Sequence, residues 1–445
     1  MRRSRTSLIL AVILGLAPIV SAQDAQFDWQ RFKGTELRVL LNTYRWLSPP
    51  WQQAIVPHLK DFEARTGIKV SATPIPGDVT RAGSEREPSP GMSGADVVVL
   101  APAREGLKYV RAGWLQPVDA FLKDASLTAP DYGWNDFLDR TREAMTVEGT
   151  LLGPPVQVEN VALMYRKDLF QRYNVKVPST LDELEAAAKA LHGKPMIDEG
   201  QPGVGFVGRG RRAAATSVFA GMLHAMGATW LGPNREPAFN TEEGIQAFEM
   251  WGRLLRLYGP PRSENNTWYE ASAIFSQGKA AMYIDANSLF PVIENLQHSR
   301  VAGKIGYTLF PRGPKGHSGS TVAVWGLAVP KASKNQQAAW LFVQWATNKE
   351  QVLKVQSEWG VLGCRESVWK DVRGKGKVPG DLAESLIQAS KAGTPFWNPP
   401  VVAVDQVREA IGAAIVTSIQ GGDVRLAVRQ AAADVKRILA ETEKK

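Results

Sequence analysis

Short apolar runs alternate with helical stretches along most of this chain, and that alternation restricts it to a layered α/β fold. Leu37-Arg-Val-Leu-Leu41 is one such run, and it ends in Asn42, Tyr44, Arg45 and Trp46. Trp51, Ile55, Leu59 and Phe62 then recur at helical spacing until Gly67 stops them, and Ile68-Lys-Val70 opens the next strand. Residues 71–94 are rich in Pro, Gly and charge and read as loop. Ala95-Asp-Val-Val-Val-Leu100 is a buried strand halted by Pro102. Residues 156–165, VQVENVALMY, read as a strand that changes neighbours along its length. Thr180-Leu-Asp-Glu183 has the capping-box pattern for a helix over 181–191. Two further openings, Asn240-Thr-Glu-Glu243 and Ser333-Lys-Asn-Gln336, start helices ending at Gly259-Pro-Pro261 and at Thr347. The tail holds two more, 404–419 and 423–439, split by Gly421-Gly422.

The amino end has a different character. Arg2, Arg3 and Arg5 precede a short apolar core, Leu8 to Val20, and Val20-Ser21-Ala22 suits a signal peptidase. This reads as a secretory signal peptide, 1–22, cleaved after Ala22. Thirteen residues interrupted by Pro18 are too few for a membrane span. The formal charge of +9 falls to +6 once the three arginines leave, and no run of five basic residues exists. Nucleic acid is therefore not an expected partner. The single Cys364 allows no internal disulfide, and five scattered histidines give no metal motif, so neither a metal nor another cofactor is expected.

Motifs for catalysis are weak. Gly203-Val-Gly205-Phe-Val-Gly208 fits GxGxxG but has no acidic residue some twenty positions on, so a Gly-rich strand and turn is the better account. Gly316-His-Ser-Gly-Ser320 lacks the final Gly of a nucleophile elbow. Strands instead end in hydrogen-bonding or aromatic residues, where ligands of open α/β sheets sit. Asn42, Tyr44 and Trp46 follow the first strand. Asp285 and Asn287 follow Gly278-Lys-Ala-Ala-Met-Tyr-Ile284, and Trp325 lies in Thr321-Val-Ala-Val-Trp325-Gly-Leu. Carboxylate, amide and indole together suit a neutral polyhydroxylated ligand, with hydroxyls on the polar groups and C–H faces on the ring. Core packing is the competing role for any single Trp, and a surface ion pair for Glu159 or Arg209.

At these residues the chain resembles the extracellular solute-binding proteins of ABC transporters, in particular the sugar-binding (family 1) type. The resemblance is carried by Val56–Val70 (VPHLKDFEARTGIKV), by Ala95–Leu100 followed by Ala112-Gly-Trp-Leu-Gln-Pro-Val-Asp119, and by Leu163-Met-Tyr-Arg-Lys-Asp-Leu-Phe170 with Val177–Leu184. Phe275-Ser-Gln-Gly-Lys-Ala-Ala-Met282 and the stretch 325–350 complete it, in the family's order. Gly208-Arg-Gly-Arg-Arg212, Tyr258-Gly-Pro-Pro261 and Met282-Tyr-Ile-Asp-Ala286 are similar to the sorbitol/mannitol-type members.

The resemblance implies an α/β, two-lobe periplasmic-binding-protein fold, type II-like, with hinge-linked lobes and a cleft between them. Lobe one is expected at 36–150 plus 320–355, and lobe two at 155–318. The helices of 360–445 are expected to pack on lobe two and the hinge. The chain would be no enzyme but the substrate-binding component of an importer. It would capture a sugar or sugar alcohol in the periplasm, as a monomer, and deliver it to ABC permease subunits driven by a separate ATPase. Asp285, Asn287, Trp325, Asn42, Tyr44, Trp46, Glu159, Asn160 and Arg209 are the expected ligand contacts. A sugar acid, an oligosaccharide or a polyamine as cargo, and a secreted carbohydrate-active enzyme, are the alternatives.

Overall fold

The computed structural model describes residues 26–43, 51–76, 92–197 and 200–443. Residues 1–25, and with them the expected signal peptide, lie outside them. Among the described residues twelve strands follow in chain order. They are β1 (Glu36–Thr43), β2 (Lys69–Pro76), β3 (Val97–Leu100), β4 (Leu115–Gln116), β5 (Thr146–Val147), β6 (Thr150–Leu151), β7 (Pro155–Glu159), β8 (Val161–Arg166), β9 (Val204–Val207), β10 (Ala280–Ala286), β11 (Ile305–Leu309) and β12 (Ala323–Pro330).

They form two main sheets. The first runs β2-β1-β3-β12-β4, with β7 also paired to β12. Its β2, β1 and β3 are parallel, while β12 runs antiparallel to β3, β4 and β7. The second runs β11-β8-β10-β9, with β8 antiparallel to both neighbours and β10 parallel to β9. A small β5-β6 hairpin stands apart.

Each sheet has its own helices; one apolar core runs from the first sheet onto one face of the second, through Met164, Tyr283 and Ile305, and another covers the second sheet's opposite face, through Leu163, Met282 and Ile284. On the first, the helix Gln336–Thr347 is buried nearly all round, as its Trp340, Phe342 and Trp345 require. On the second, the helices Arg212–Ala225, Glu242–Tyr258, Val404–Gln420 and Val424–Thr442 pack together. The helix Leu181–Leu191 begins at the expected capping box, with Thr180 and Glu183 satisfying each other's backbone N–H groups. Gly205 of the GxGxxG stretch sits in β9 where a Cβ would lie 1.9 Å from the Ala188 carbonyl oxygen. That glycine therefore serves strand-to-helix packing.

The stretch VQVENVALMY changes neighbours at Asn160: β7 pairs with β12 of the first sheet, and β8 with β10 and β11 of the second. The ladder breaks there because the Asn160 N–H donates to Asn287 Oδ1 (2.9 Å) and its side-chain Nδ2 to the Thr321 carbonyl (2.7 Å). Residues 155–159, expected in the second lobe, thus stand in the first sheet. Residues 360–375, expected among the C-terminal helices on the second lobe and the hinge, pack on the helix Lys349–Trp359 of the first. Gln356 Nε2 donating to the Gly374 carbonyl, and Trp369 Nε1 to that of Gly363, hold them there. The helix Gly380–Ala392 touches both halves, against β11 and against the helix Asp139–Ala144. Cys364 is fully buried, and burial pushes its thiol up.

Candidate ligand-binding site

Every residue of β10 is buried, and the strand lies inside the second sheet. Alternation puts Ala281, Tyr283 and Asp285 on one face. The Tyr283 hydroxyl donates to Asp285 Oδ2 at 2.6 Å, and the Ala286 N–H to Oδ1 at 2.7 Å. A carboxylate so buried needs a cation. Arg209 supplies it from the turn after β9: its Nε donates to Oδ2 at 2.8 Å and its Nη2 to Oδ1. Trp251 Nε1 donates to the Arg209 carbonyl at 3.2 Å and holds that turn. Both oxygens of Asp285 are therefore spent inside the protein, and the residue is fully buried.

A cavity of about 710 Å³ opens between the two sheets at this point. Arg209, Glu159, Asn160 and Trp325 line it, together with Gln52, Gln157, Ser288, Trp268 and Tyr269. The Arg209 side chain keeps 15% of its surface exposed, on the edge turned away from Asp285. The Ser288 hydroxyl donates to Glu159 Oε2, and Trp325 Nε1 to Oε1 at 3.4 Å. Burial pushes the Glu159 carboxyl above its ordinary range, although both of those bonds and nearby Arg209 pull it down. Trp325 is half-buried and sits where the β12–β7 register slips, a bulge that re-aims a side chain. Asn160 lines the cavity and is buried, its Nδ2 fixed on Thr321, and its buried Oδ1 has no partner among the described residues.

The other charged groups of the wall are ion-paired, with the exception of Arg211, which forms no ion pair among the described residues. Arg104 Nη2 lies 3.0 Å from Asp405 Oδ1, and Arg408 Nη1 lies 3.4 Å from the same atom. Glu409 accepts from the Ala213 N–H at 3.1 Å and stands 3.7 Å from Arg212. Among the described residues no three His, Cys, Asp or Glu side chains are placed to hold a metal ion, and no helix is long and apolar enough to cross a membrane.

The structure thus gathers Glu159, Asn160, Arg209 and Trp325 from the expected contacts at one cavity. Asp285 corrects its expectation. It neither meets the cavity nor caps the next helix, because it is still inside β10 and is neutralised by Arg209 behind the wall. Asn287 also stands behind it: its Oδ1 and N–H lock the crossing at Asn160. Asn42 lies near the end of β1 and pairs with Ile75. Its side chain, and the whole of Tyr44 and Trp46, lie outside the described residues. Gln52, Gln157, Trp268 and Tyr269 were not anticipated. Only the last two had a sequence signal: Thr267 and Glu270 form a capping box that puts them in the first turn of the helix Trp268–Ser276.

Two sheets, each in its own α/β layer, joined by strands that pass from one to the other and flanking a cleft, define a two-lobe binding protein. Solved structures share this fold. A solute-binding protein of an ABC transporter from Agrobacterium radiobacter, in complex with ribitol, superposes with a TM-score of 0.79 at 22% identity, covering 91% of this chain and 99% of that one. One from Agrobacterium vitis with bound D-mannitol gives 0.72 at 24%, covering 92% and 98%. Residues 47–353 match the profile of the bacterial extracellular solute-binding proteins, and the chain belongs to that family. Among curated relatives, the mannitol-binding protein of Pseudomonas aeruginosa is 29% identical over 286 residues, 64% of this chain and 60% of that protein's own length. The erythritol/L-threitol-binding protein of Mycolicibacterium smegmatis is 26% identical over 344 residues, 74% and 70%.

Proposed function

We propose that the chain is the substrate-binding component of an ABC importer and that it carries a neutral sugar alcohol or sugar in the periplasm. The observation that carries this is the character of the cavity wall. Arg209, Arg104, Arg408 and Glu159 all reach it already paired, so it offers directed hydrogen bonds beside an indole face. The partnerless Asn160 Oδ1 would accept from a ligand hydroxyl, and Arg209 would donate with its free edge. Trp325 would cover the C–H face of the ligand. The relatives that bind mannitol and erythritol, and the neighbours holding ribitol and mannitol, fit the same chemistry.

Capture would draw the two lobes together about the strands near Asn160 and shift an open–closed equilibrium. The closed form would dock on the permease subunits. No catalysis is proposed: Asp285, whose charge Glu159 feels, has no oxygen free to act on a bound sugar. A second reading, a sugar acid, is favoured by Arg211, which lines the cavity and forms no ion pair among the described residues. A thermal-shift screen over mannitol, ribitol, erythritol, glucose, maltose and gluconate tests both. Stabilisation by a polyol, with the compound recovered unchanged, supports the proposal. Stabilisation by gluconate alone favours the sugar acid, and consumption of any compound overturns the transport reading.

A further inference from the structure

A second cavity, of about 380 Å³, lies behind the first. The hinge strand separates them: Ala323 and Trp325 turn to the ligand cavity, while Val322 and Val324, one residue out of phase, turn to the rear one. One rear wall belongs to the first lobe, through Leu107, Ala144 and Val147. The other belongs to the segment before the helix Val404–Gln420, through Phe396, Trp397 and Val401. The buried part of these walls is apolar apart from Asn398, while Arg104, Glu143, Thr146, Glu148 and Arg235 line the more exposed part. Asn398 is fully buried, and its Oδ1 accepts from the Ser217 hydroxyl at 3.3 Å. Its Nδ2 has no partner among the described residues. An amide donor so placed carries an uncompensated desolvation cost that an acceptor in the cavity would relieve.

Ion pairs between the lobes frame the rear cavity. Arg104–Asp405 at 3.0 Å closes the side towards the ligand cavity. On the other side Arg111 lies 3.1 Å from Glu443, which Arg235 also holds at 2.6 Å. These contacts set the spacing of the two walls.

We propose that the rear cavity is a second binding site, for a small apolar molecule bearing one hydrogen-bond acceptor. We propose further that its occupancy opposes ligand capture in front. The size and lining suit a compact ring compound, with Asn398 Nδ2 donating to its acceptor. The coupling rests on the reading of the front cavity as the solute site. A rotation about β7 and β12 that narrows the front gap moves the rear walls apart. A molecule that fits the rear cavity at its present spacing therefore favours that spacing. Linkage makes the effect mutual.

Acetophenone is the probe, with ethylbenzene as its counterpart of similar size lacking the acceptor. We expect saturable acetophenone binding that raises Tm, with ethylbenzene about tenfold weaker for want of the hydrogen bond. Ala144→Trp, which fills the rear cavity, should abolish the acetophenone response and keep the polyol response. Thr146→Trp, at an exposed position on the same wall, replaces it should that variant not fold. Trp325→Ala should keep the acetophenone response and weaken polyol binding about tenfold. Saturating acetophenone should raise the apparent Kd for the polyol by about fivefold or more, within the usual range of such couplings. No saturable acetophenone binding, or binding lost in Trp325→Ala and retained in Ala144→Trp, overturns the rear site. An unchanged polyol Kd overturns the coupling. A protein that answers acetophenone but no polyol, sugar or sugar acid leaves the rear site standing and sinks the reading of the front one.

Discussion

Arg365 and Arg209 are both forked arginines beside a carboxylate, one in each lobe, and they put the fork to opposite uses. Arg365 spends every donor nitrogen inside the protein. Its Nε donates to the Thr347 carbonyl, its Nη2 to that of Tyr132, and its Nη1 to that of Gly133 and to Asp136. Its guanidinium also lies 4.1 Å over the Phe137 ring. Arg209 is clamped along one edge by Asp285 and presents the other to the cavity. A saturated buried arginine holds the fold together, whereas one held rigid with donors to spare is preorganised to receive a ligand.

The comparison can be broken in five ways. Removing Arg365 should have the largest effect. Arg365→Met leaves three carbonyls and Asp136 without their donor, and should cost about 3–5 kcal/mol in chemical denaturation. Ligand affinity of the folded fraction should not change, and a parallel loss of affinity would erase the contrast. Arg209→Lys keeps the charge and loses the fork. We expect affinity for the ligand found in the screen to fall about 30- to 100-fold, a change of about 2–3 kcal/mol. Asp285→Asn should weaken binding through Arg209, and the double variant should lose far less than the sum of the two. Additive losses in calorimetry would mean that Asp285 does not act through Arg209.

Trp325→Ala should weaken binding by about tenfold, in keeping with the value of an aromatic face. It should leave the denaturation midpoint nearly in place, because the ring is half open to the cavity. The smallest effect concerns Glu159. Its carboxyl titrates above the ordinary range in the fold, so the fold binds its proton more tightly than the unfolded chain does. The ionised side chain therefore costs stability. That cost is absent below the unfolded value of about 4.3 and grows until the pH has passed the raised folded value. Glu159→Gln should gain on the wild type over that window, by about 1 kcal/mol or less, because the bonds from Ser288 and Trp325 offset part of the burial cost. Urea denaturation at acid and neutral pH checks it, and a difference that does not change with pH removes the burial argument.

What could be read from the chain was local. Thr180 and Glu183 specify a helix start by themselves, because both partners of the capping box lie within one turn. The polar pair Glu159-Asn160 inside VQVENVALMY marked the change of sheets, since neither residue suits an unbroken apolar strand. Glu159, Asn160, Arg209 and Trp325 could be nominated by residue type and position.

The roles within the site are different in kind. Asp285 reads as a strand-end carboxylate open to a ligand. Its neutralising partner stands 76 positions earlier in the chain and meets it only because β9 and β10 are neighbours in the second sheet. Gln52, Trp268 and Arg104 come to the cavity from segments whose own patterns say nothing of one another. Sequence alone determined the alternation of elements, their caps and the family, because each follows from contacts within a few residues or from motif order. Only the tertiary structure decided which charges cancel and which donors stay free, because those are set by pairing across the chain in a low-dielectric interior.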